Sequence, residues 1–185
     1  GGRLDPKKYW ESIKQFGRPY WITEGGTGGH EWPVPIENGM GSYIHHALVD
    51  GNVSAFVCWQ ISDVERNTHG VLERRTPTKK TYTAMHYWRF IRPGYIRIFA
   101  SSPSDLLRIS AFKNPVSDQL VVVLINDDPK DRSINFRISG ERSKVFIPYT
   151  TSSRLDFQKG NEIQSDDDME VDIPGKSIMT LVQAD

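Results

Sequence analysis

At Arg92-Pro93-Gly94 the pattern of the chain changes, and that change decides the fold class. Before it, apolar residues recur at helical spacing in three stretches. Over 4–16 they are Tyr9, Trp10, Ile13 and Phe16, with Asp5 as a cap, Pro6 in the first turn and Gly17 as the stop. Over about 37–49 they are Met40, Tyr43, Ile44 and Leu48, closed by Gly51, and over about 79–90 they are Tyr82, Met85, Trp88 and Phe90. Between these helices lie two strand-like runs, Tyr20–Thr23 and Val53–Trp59. Helix, strand, helix, strand, helix is the order of parallel βα units. After the switch only strands remain: Tyr95–Ala100, Leu107–Phe112, Leu120–Ile125, Ile134–Ile138, Lys144–Tyr149, Met169–Ile173 and Ser177–Val182. Turn residues break them at Asn126-Asp127-Asp128-Pro129, Ser139-Gly140 and Pro174-Gly175. Such a run predicts an antiparallel sandwich or small barrel. The chain is therefore α/β over residues 1–93 and all-β over 94–185.

The first strand ends in an unusual way. Tyr20-Trp21-Ile22-Thr23 reads as a short buried strand that stops on Glu24, and Gly25-Gly26-Thr27-Gly28-Gly29 then forbids regular structure. A carboxylate at the C-terminal tip of a core strand, opening into glycine, is how (β/α) barrels present a catalytic acid. It also suits an acid that merely caps the next turn. The second run, Val53-Ser54-Ala55-Phe56-Val57-Cys58-Trp59, is almost unbroken in its apolarity, as in strands buried on both faces. Cys58 lies inside it as a buried thiol, with no second cysteine to form a disulfide or a cysteine-based zinc site.

Composition excludes some partners. The 23 basic residues balance the 23 acidic ones, leaving no electrostatic footprint for nucleic acid or an anionic membrane. No apolar run approaches the roughly 18 residues of a membrane-spanning helix. His30, His45, His46 and His69 show no paired metal spacing, and adjacent His45 and His46 point about 100° apart on a helix. Asp166-Asp167-Asp168 lacks the ligand ladder of a calcium loop and reads as a solvated turn. No metal and no cofactor are expected. Aromatic side chains are plentiful beside Gly and Pro, as suits both cores and sugar-binding surfaces.

Taken together, Trp21-Ile22-Thr23-Glu24, the Val53–Trp59 strand and Phe90-Ile91-Arg92-Pro93-Gly94-Tyr95-Ile96-Arg97-Ile98 resemble the C-terminal half of a family 30 glycoside hydrolase. The likeness continues through Ile109-Ser110-Ala111-Phe112, Leu120–Asn126 and Tyr149-Thr150-Thr151-Ser152, and ends at Ile173-Pro174-Gly175-Lys176-Ser177-Ile178-Met179-Thr180-Leu181. It is greatest to the bacterial xylanases of that family. What it implies is the last two βα units of a (β/α)8 TIM barrel followed by an antiparallel β-sandwich, in a secreted enzyme that cuts xylan or a related β-glycan. In that family the Glu ending strand seven is the nucleophile of a retaining mechanism, which by resemblance is Glu24. Such a mechanism uses two carboxyl groups about 5–5.5 Å apart. The family's acid/base Glu ends strand four, upstream of these residues, and a barrel runs to roughly 250 residues. The resemblance thus implies an N-terminal remainder of the barrel as the chain's partner. Glu31, Glu37, Asp63, Glu65 and Glu73 read as solvated loop charges rather than substitutes for the acid.

By the same resemblance Trp59, at the end of strand eight, forms the aromatic floor under the sugar, although a core role suits it too. Trp32 is a second candidate platform. Members that cut glucuronoxylan carry Arg-Ser-Tyr-Gly after strand eight to grip the acidic side group of xylan. The corresponding stretch here is Asn67-Thr68-His69-Gly70, reached through a longer Gln60–Arg66 segment. Arg66, one position off, is the candidate substitute, with His69 beside it. The rival class is a non-catalytic carbohydrate-binding or structural sandwich carrying a barrel remnant.

Overall fold

The computed structural model describes residues 5–26, 28–63, 68–139, 144–166 and 168–184. The chain divides into two compact units, Gly1–Ala84 and Met85–Asp185. The division falls inside a helix, earlier in the chain than the expected switch after Arg92-Pro93.

In the first unit, helix α1 (Pro6–Ile13) starts where Asp5 accepts a hydrogen bond from Lys8 N at 3.1 Å. A 3₁₀ turn, Lys14–Phe16, follows and ends on Gly17 in the left-handed region. Strand β1 (Trp21–Gly25) comes next. The expected helix over 37–49 is two helices, α2 (Val34–Glu37) and α3 (Met40–Val49), broken at Asn38-Gly39. Strand β2 (Ala55–Cys58) lies parallel to β1, with Trp21 opposite Ala55, Ile22 opposite Phe56 and Gly25 opposite Cys58. The register shifts between Ile22 and Gly25, at the residues that carry Thr23 and Glu24. Two short strands, β3 (Ser62–Asp63) and β4 (Leu72–Glu73), pair in parallel before helix α4 (Lys79–Trp88).

Burial in this unit departs from expectation. Ile22 packs with Ala47 of α3 and with Val53, and Tyr20 and Phe56 flank them. The rest of β1 and β2 is open: Trp21 is 60% exposed, Val57 48% and Trp59 55%. Neither strand is buried on both faces, and Cys58 is only partly buried. The reason is that β1 and β2 form a two-stranded sheet with a helix over one face. The large apolar side chains Trp21, Val57 and Trp59 are left half-exposed.

The second unit is organised around strand β7 (Leu120–Asn126), whose residues are all buried. It lies in a sheet ordered β10, β9, β13, β7, β6, β5, with β11 also paired to β9. These are β5 (Ile96–Ile98), β6 (Leu107–Lys113), β9 (Lys144–Thr151), β10 (Gln158–Lys159), β11 (Ile163–Ser165) and β13 (Ser177–Gln183), and every pairing is antiparallel. A second sheet pairs β8 (Arg132–Arg137) with β12 (Asp168–Ile173). Both of its strands alternate exposed and covered residues, the pattern of a sheet wet on one face. Leu120, Val122 and Leu124 of β7, with Leu181 of β13 opposite Val122, meet Met169, Val171 and Ile173 of β12 in the sandwich core. The two short strands β10 and β11 add to the seven that the sequence predicts. Asp168 is the first residue of β12 rather than part of a turn, and Arg137 grips its carboxylate at 2.7 and 2.9 Å. Asp167 lies outside the described residues.

The opposite face of the large sheet is covered within the same unit by the end of α4. His86 is wholly buried there, with Nδ1 2.8 Å from Thr180 Oγ1 and Nε2 2.9 Å from Thr151 Oγ1. Beside it, Phe90, Tyr149 and Phe157 form an aromatic cluster with ring centroids 4.8–5.8 Å apart.

Candidate active site

Parallel pairing of β1 and β2 brings their C-terminal ends to one edge. Trp59 N donates to Gly25 O at 3.1 Å, so the residue after Glu24 and the residue ending the second run are hydrogen-bonded neighbours. Glu24 is exposed, and among the described residues its carboxylate has no hydrogen bond or ion pair. The peptide joining Trp59 to Gln60 is cis.

The glycine run after Glu24 is packed against protein rather than held open. Gly26 has φ 89°, and a Cβ there would meet Met40 Cε at 2.7 Å and Cys58 Sγ at 3.2 Å. Gly28 has φ 97° and lies against the Gly39 backbone, where a Cβ would approach to 2.8 Å. The loop is therefore pressed onto the start of α3 and the end of β2, which fixes the backbone that follows Glu24. Burial pushes the Cys58 thiol up from its ordinary range, opposed by the charge of Lys80.

The other sequence candidates sit on two loops. Trp32 is half-buried in the loop after β1, with Lys79 Nζ 5.9 Å from its ring centroid. In the same loop, His30 Nδ1 is 2.8 Å from Thr78 Oγ1. His69 is exposed in the loop after β2, and its carbonyl accepts from Gln60 N at 3.2 Å. Val71 N returns a bond to Gln60 O at 2.8 Å, so residues 69–72 run alongside the segment that follows Trp59. Arg66 and Glu65 lie outside the described residues, as does the Asp63 side chain. His45 is buried, whereas His46 is half-exposed and paired with Asp50 at 2.6 Å. Glu24 and Trp59 are thus joined through neighbouring backbone, and Trp32 and His69 each reach the first turn of α4 by separate contacts.

Sequence reasoning missed that turn. Lys80 has 0% exposure, and its Nζ donates to Thr68 O at 2.6 Å. Thr81 Oγ1 donates to Val71 O at 2.7 Å. The available signal was helical spacing: Lys80, Thr83, Ala84 and Tyr87 share one face, and all four are buried. A lysine inside an otherwise covered stripe marks a place where something must accept its protons.

The chain is similar to several known proteins. Residues 96–181 match the family profile described as the Glycosyl hydrolase family 30 beta sandwich domain. Glucuronoxylanase XynC of Bacillus subtilis is 29% identical over 178 residues, which is 91% of this chain and 40% of that protein. A GH30 endoxylanase from Clostridium papyrosolvens C71 shares the fold over 100% of this chain and 47% of its own, with TM-score 0.85 and 24% identity. The subfamily 8 xylanase Xyn30A of Clostridium acetobutylicum covers 95% of this chain and 45% of its own, with TM-score 0.81 and 25% identity. The chain spans less than half the length of each of these relatives. No helix among the described residues is long and apolar enough to cross a membrane. With residues 96–181 matched to the family profile and its full length matched in fold, the chain resembles the C-terminal part of a family 30 glycoside hydrolase.

Proposed function

We propose that this chain supplies the nucleophile and part of the sugar-binding floor of a retaining xylanase. The observation that carries the reading is the pairing of Glu24 and Trp59 at one edge of the parallel sheet. Glu24 is an exposed carboxylate without a partner among the described residues, and Trp59 is an exposed aromatic one hydrogen bond away from Gly25. An unpaired carboxylate can attack an anomeric carbon, and an exposed indole face suits a sugar ring. The β1–α3 and β2–α4 segments are, on this reading, the last two βα units of a (β/α)8 barrel. Its earlier strands would lie against the bare faces of Trp21 and Val57, and would bring the acid/base carboxyl to Glu24. Residues 94–185 form the side domain. A polymeric substrate does not enter cells, so the enzyme acts as a secreted protein.

Turnover proceeds in two steps. Glu24 attacks the anomeric carbon while the acid/base carboxyl of the complete enzyme protonates the leaving oxygen, giving a glycosyl ester on Glu24. Water, deprotonated by the same second residue, then releases the sugar with retention. Trp59 and Trp32 hold rings, and His69 lines the loop beside Trp59. The test is hydrolysis of β-1,4-xylan by the complete enzyme, followed by the anomeric form of the product: β indicates retention, and an α product would contradict the reading.

Substrate choice follows from the loop after β2. An arginine holds a glucuronate carboxylate through two charge-assisted bonds. By the resemblance, Asn67 and His69 correspond in sequence to the clamp segment of the glucuronoxylan-cutting members, and Arg66 follows Glu65 in the chain. We expect little dependence on the glucuronate group. Rates on glucuronoxylan and on its carboxyl-reduced form, at matched chain length, should differ by less than about twentyfold, roughly 1.8 kcal/mol. A larger ratio would restore an acidic clamp with Arg66 as its centre.

A further inference from the structure

Thr78 and the first three residues of α4 each contact one of the two loops that follow Glu24 and Trp59 in the chain. Thr78 Oγ1 bonds His30 Nδ1 at 2.8 Å. Lys79 Nζ lies 5.9 Å from the Trp32 centroid. Lys80 Nζ donates to Thr68 O at 2.6 Å and lies 3.5 Å from His69 O. Thr81 Oγ1 donates to Val71 O at 2.7 Å and accepts from Thr78 N at 2.9 Å. The first two contacts hold the loop after β1, and the last two hold the loop after β2. Successive helical residues point about 100° apart, so one turn can grip elements on several sides.

We propose that Thr78-Lys79-Lys80-Thr81 is a brace that positions both loops for substrate, and that Lys80 is its principal positioning residue. The brace itself stands on the geometry above, whereas its role toward substrate rests on the proposed xylanase reading. Burying a lysine is costly unless its donors are met, and helix interiors offer cheaper choices for packing alone. Here the donors meet the carbonyls of Thr68 and His69, the residues that run beside Trp59-Gln60. An apolar side chain of similar length would fill the same space and leave those carbonyls without the ammonium. Packing and positioning can therefore be separated by one substitution.

The experiment compares K80M with the parent in the complete enzyme, by hydrogen exchange of the peptides covering 66–76 and by kinetics on xylan. The brace predicts that amides of residues 69–72 exchange at least about tenfold faster in K80M, with global exchange of the β7 strand unchanged. It also predicts a KM raised about tenfold with kcat within about threefold, the split expected when binding contacts are misplaced but chemistry is intact. Unchanged exchange at 69–72 overturns the brace, and so does faster exchange with an unchanged KM. If the parent enzyme cleaves no xylan, the xylanase reading fails, and exchange alone then decides whether Lys80 holds the loop. Should K80M fail to fold, T81V removes the neighbouring bond to Val71 and is read in the same way.

Discussion

Replacing Glu24 by Gln in the complete enzyme is expected to lower turnover on xylan by about three orders of magnitude or more, within the range that enzymes gain over the uncatalysed reaction. The amide has the size of the carboxylate but cannot form the glycosyl ester. The structure gives no reason for a folding defect, since the side chain is exposed and has no partner among the described residues. Exposed substitutions of this kind change stability by about 0.5 kcal/mol or less. Initial rates and a thermal melt on the same preparation therefore separate the two outcomes. An E24Q protein that keeps its parent's melting temperature and more than about a tenth of its rate, a loss worth under about 1.4 kcal/mol, would remove Glu24 from the chemistry.

The second large effect lies in the sandwich. Its network accounts for every polar atom of the His86 ring: Thr180 Oγ1 donates to His86 O at 3.1 Å, so it accepts from Nδ1–H. Thr151 Oγ1 accepts from Phe157 N at 3.0 Å and keeps its proton available for Nε2, 2.9 Å away. The neutral ring, protonated at Nδ1, fits this network, with Nε2 accepting from Thr151. Burial lowers its pKa from 6.5 to about 3. The folded state therefore binds fewer protons than the unfolded one between those values. The stabilisation is complete above pH 6.5 and is lost as pH falls toward about 3, at up to about 1.4 kcal/mol per unit. Asp128 and Asp168, held low chiefly by hydrogen bonds from the Lys130 backbone and from Arg137, add their own losses only below the ordinary carboxylate range. His86→Ala should cost about 3–5 kcal/mol at pH 7, from the cavity and the stranded hydroxyls together. His86→Gln, which cannot titrate, should flatten the pH dependence between 6.5 and 4.5. Urea melts of the sandwich across that interval check both expectations. An unchanged slope in the Gln variant would show that His86 is not the titrating group.

Legibility in the sequence followed the range of the interactions concerned. The strands of the sandwich were readable because alternation and the Leu120–Ile125 run are local signals, as was the capped start of α1 at Asp5-Pro6. The break between α2 and α3 was carried by Asn38-Gly39, whose turn character was outweighed by the apolar spacing on either side. The sequence overstates the burial of β1 and β2, because an apolar run states what a strand needs to cover, not what covers it. Trp21 and Val57 remain exposed for that reason. Lys80 and His86 were the reverse case. Both are polar residues on a helix that reads as amphipathic, and both are fully buried beside hydrogen-bond partners distant in sequence: Thr68 for one, Thr151 and Thr180 for the other. Glu24 stands out in the sequence as a carboxylate placed where a strand gives way to glycine, a pattern visible in a few adjacent residues, and its catalytic role is a proposal.

The most direct measurement for the account as a whole is covalent trapping. A 2-deoxy-2-fluoro xylobioside with a good leaving group forms its glycosyl ester quickly and loses it slowly, so the attacked residue can be read from a digest by mass spectrometry. Applied to the complete enzyme, the account predicts one added glycosyl unit per chain, on the peptide containing Trp21-Ile22-Thr23-Glu24, with fragmentation placing it on Glu24. A label on any other carboxylate, or full inactivation with the Glu24 peptide unmodified, would contradict it.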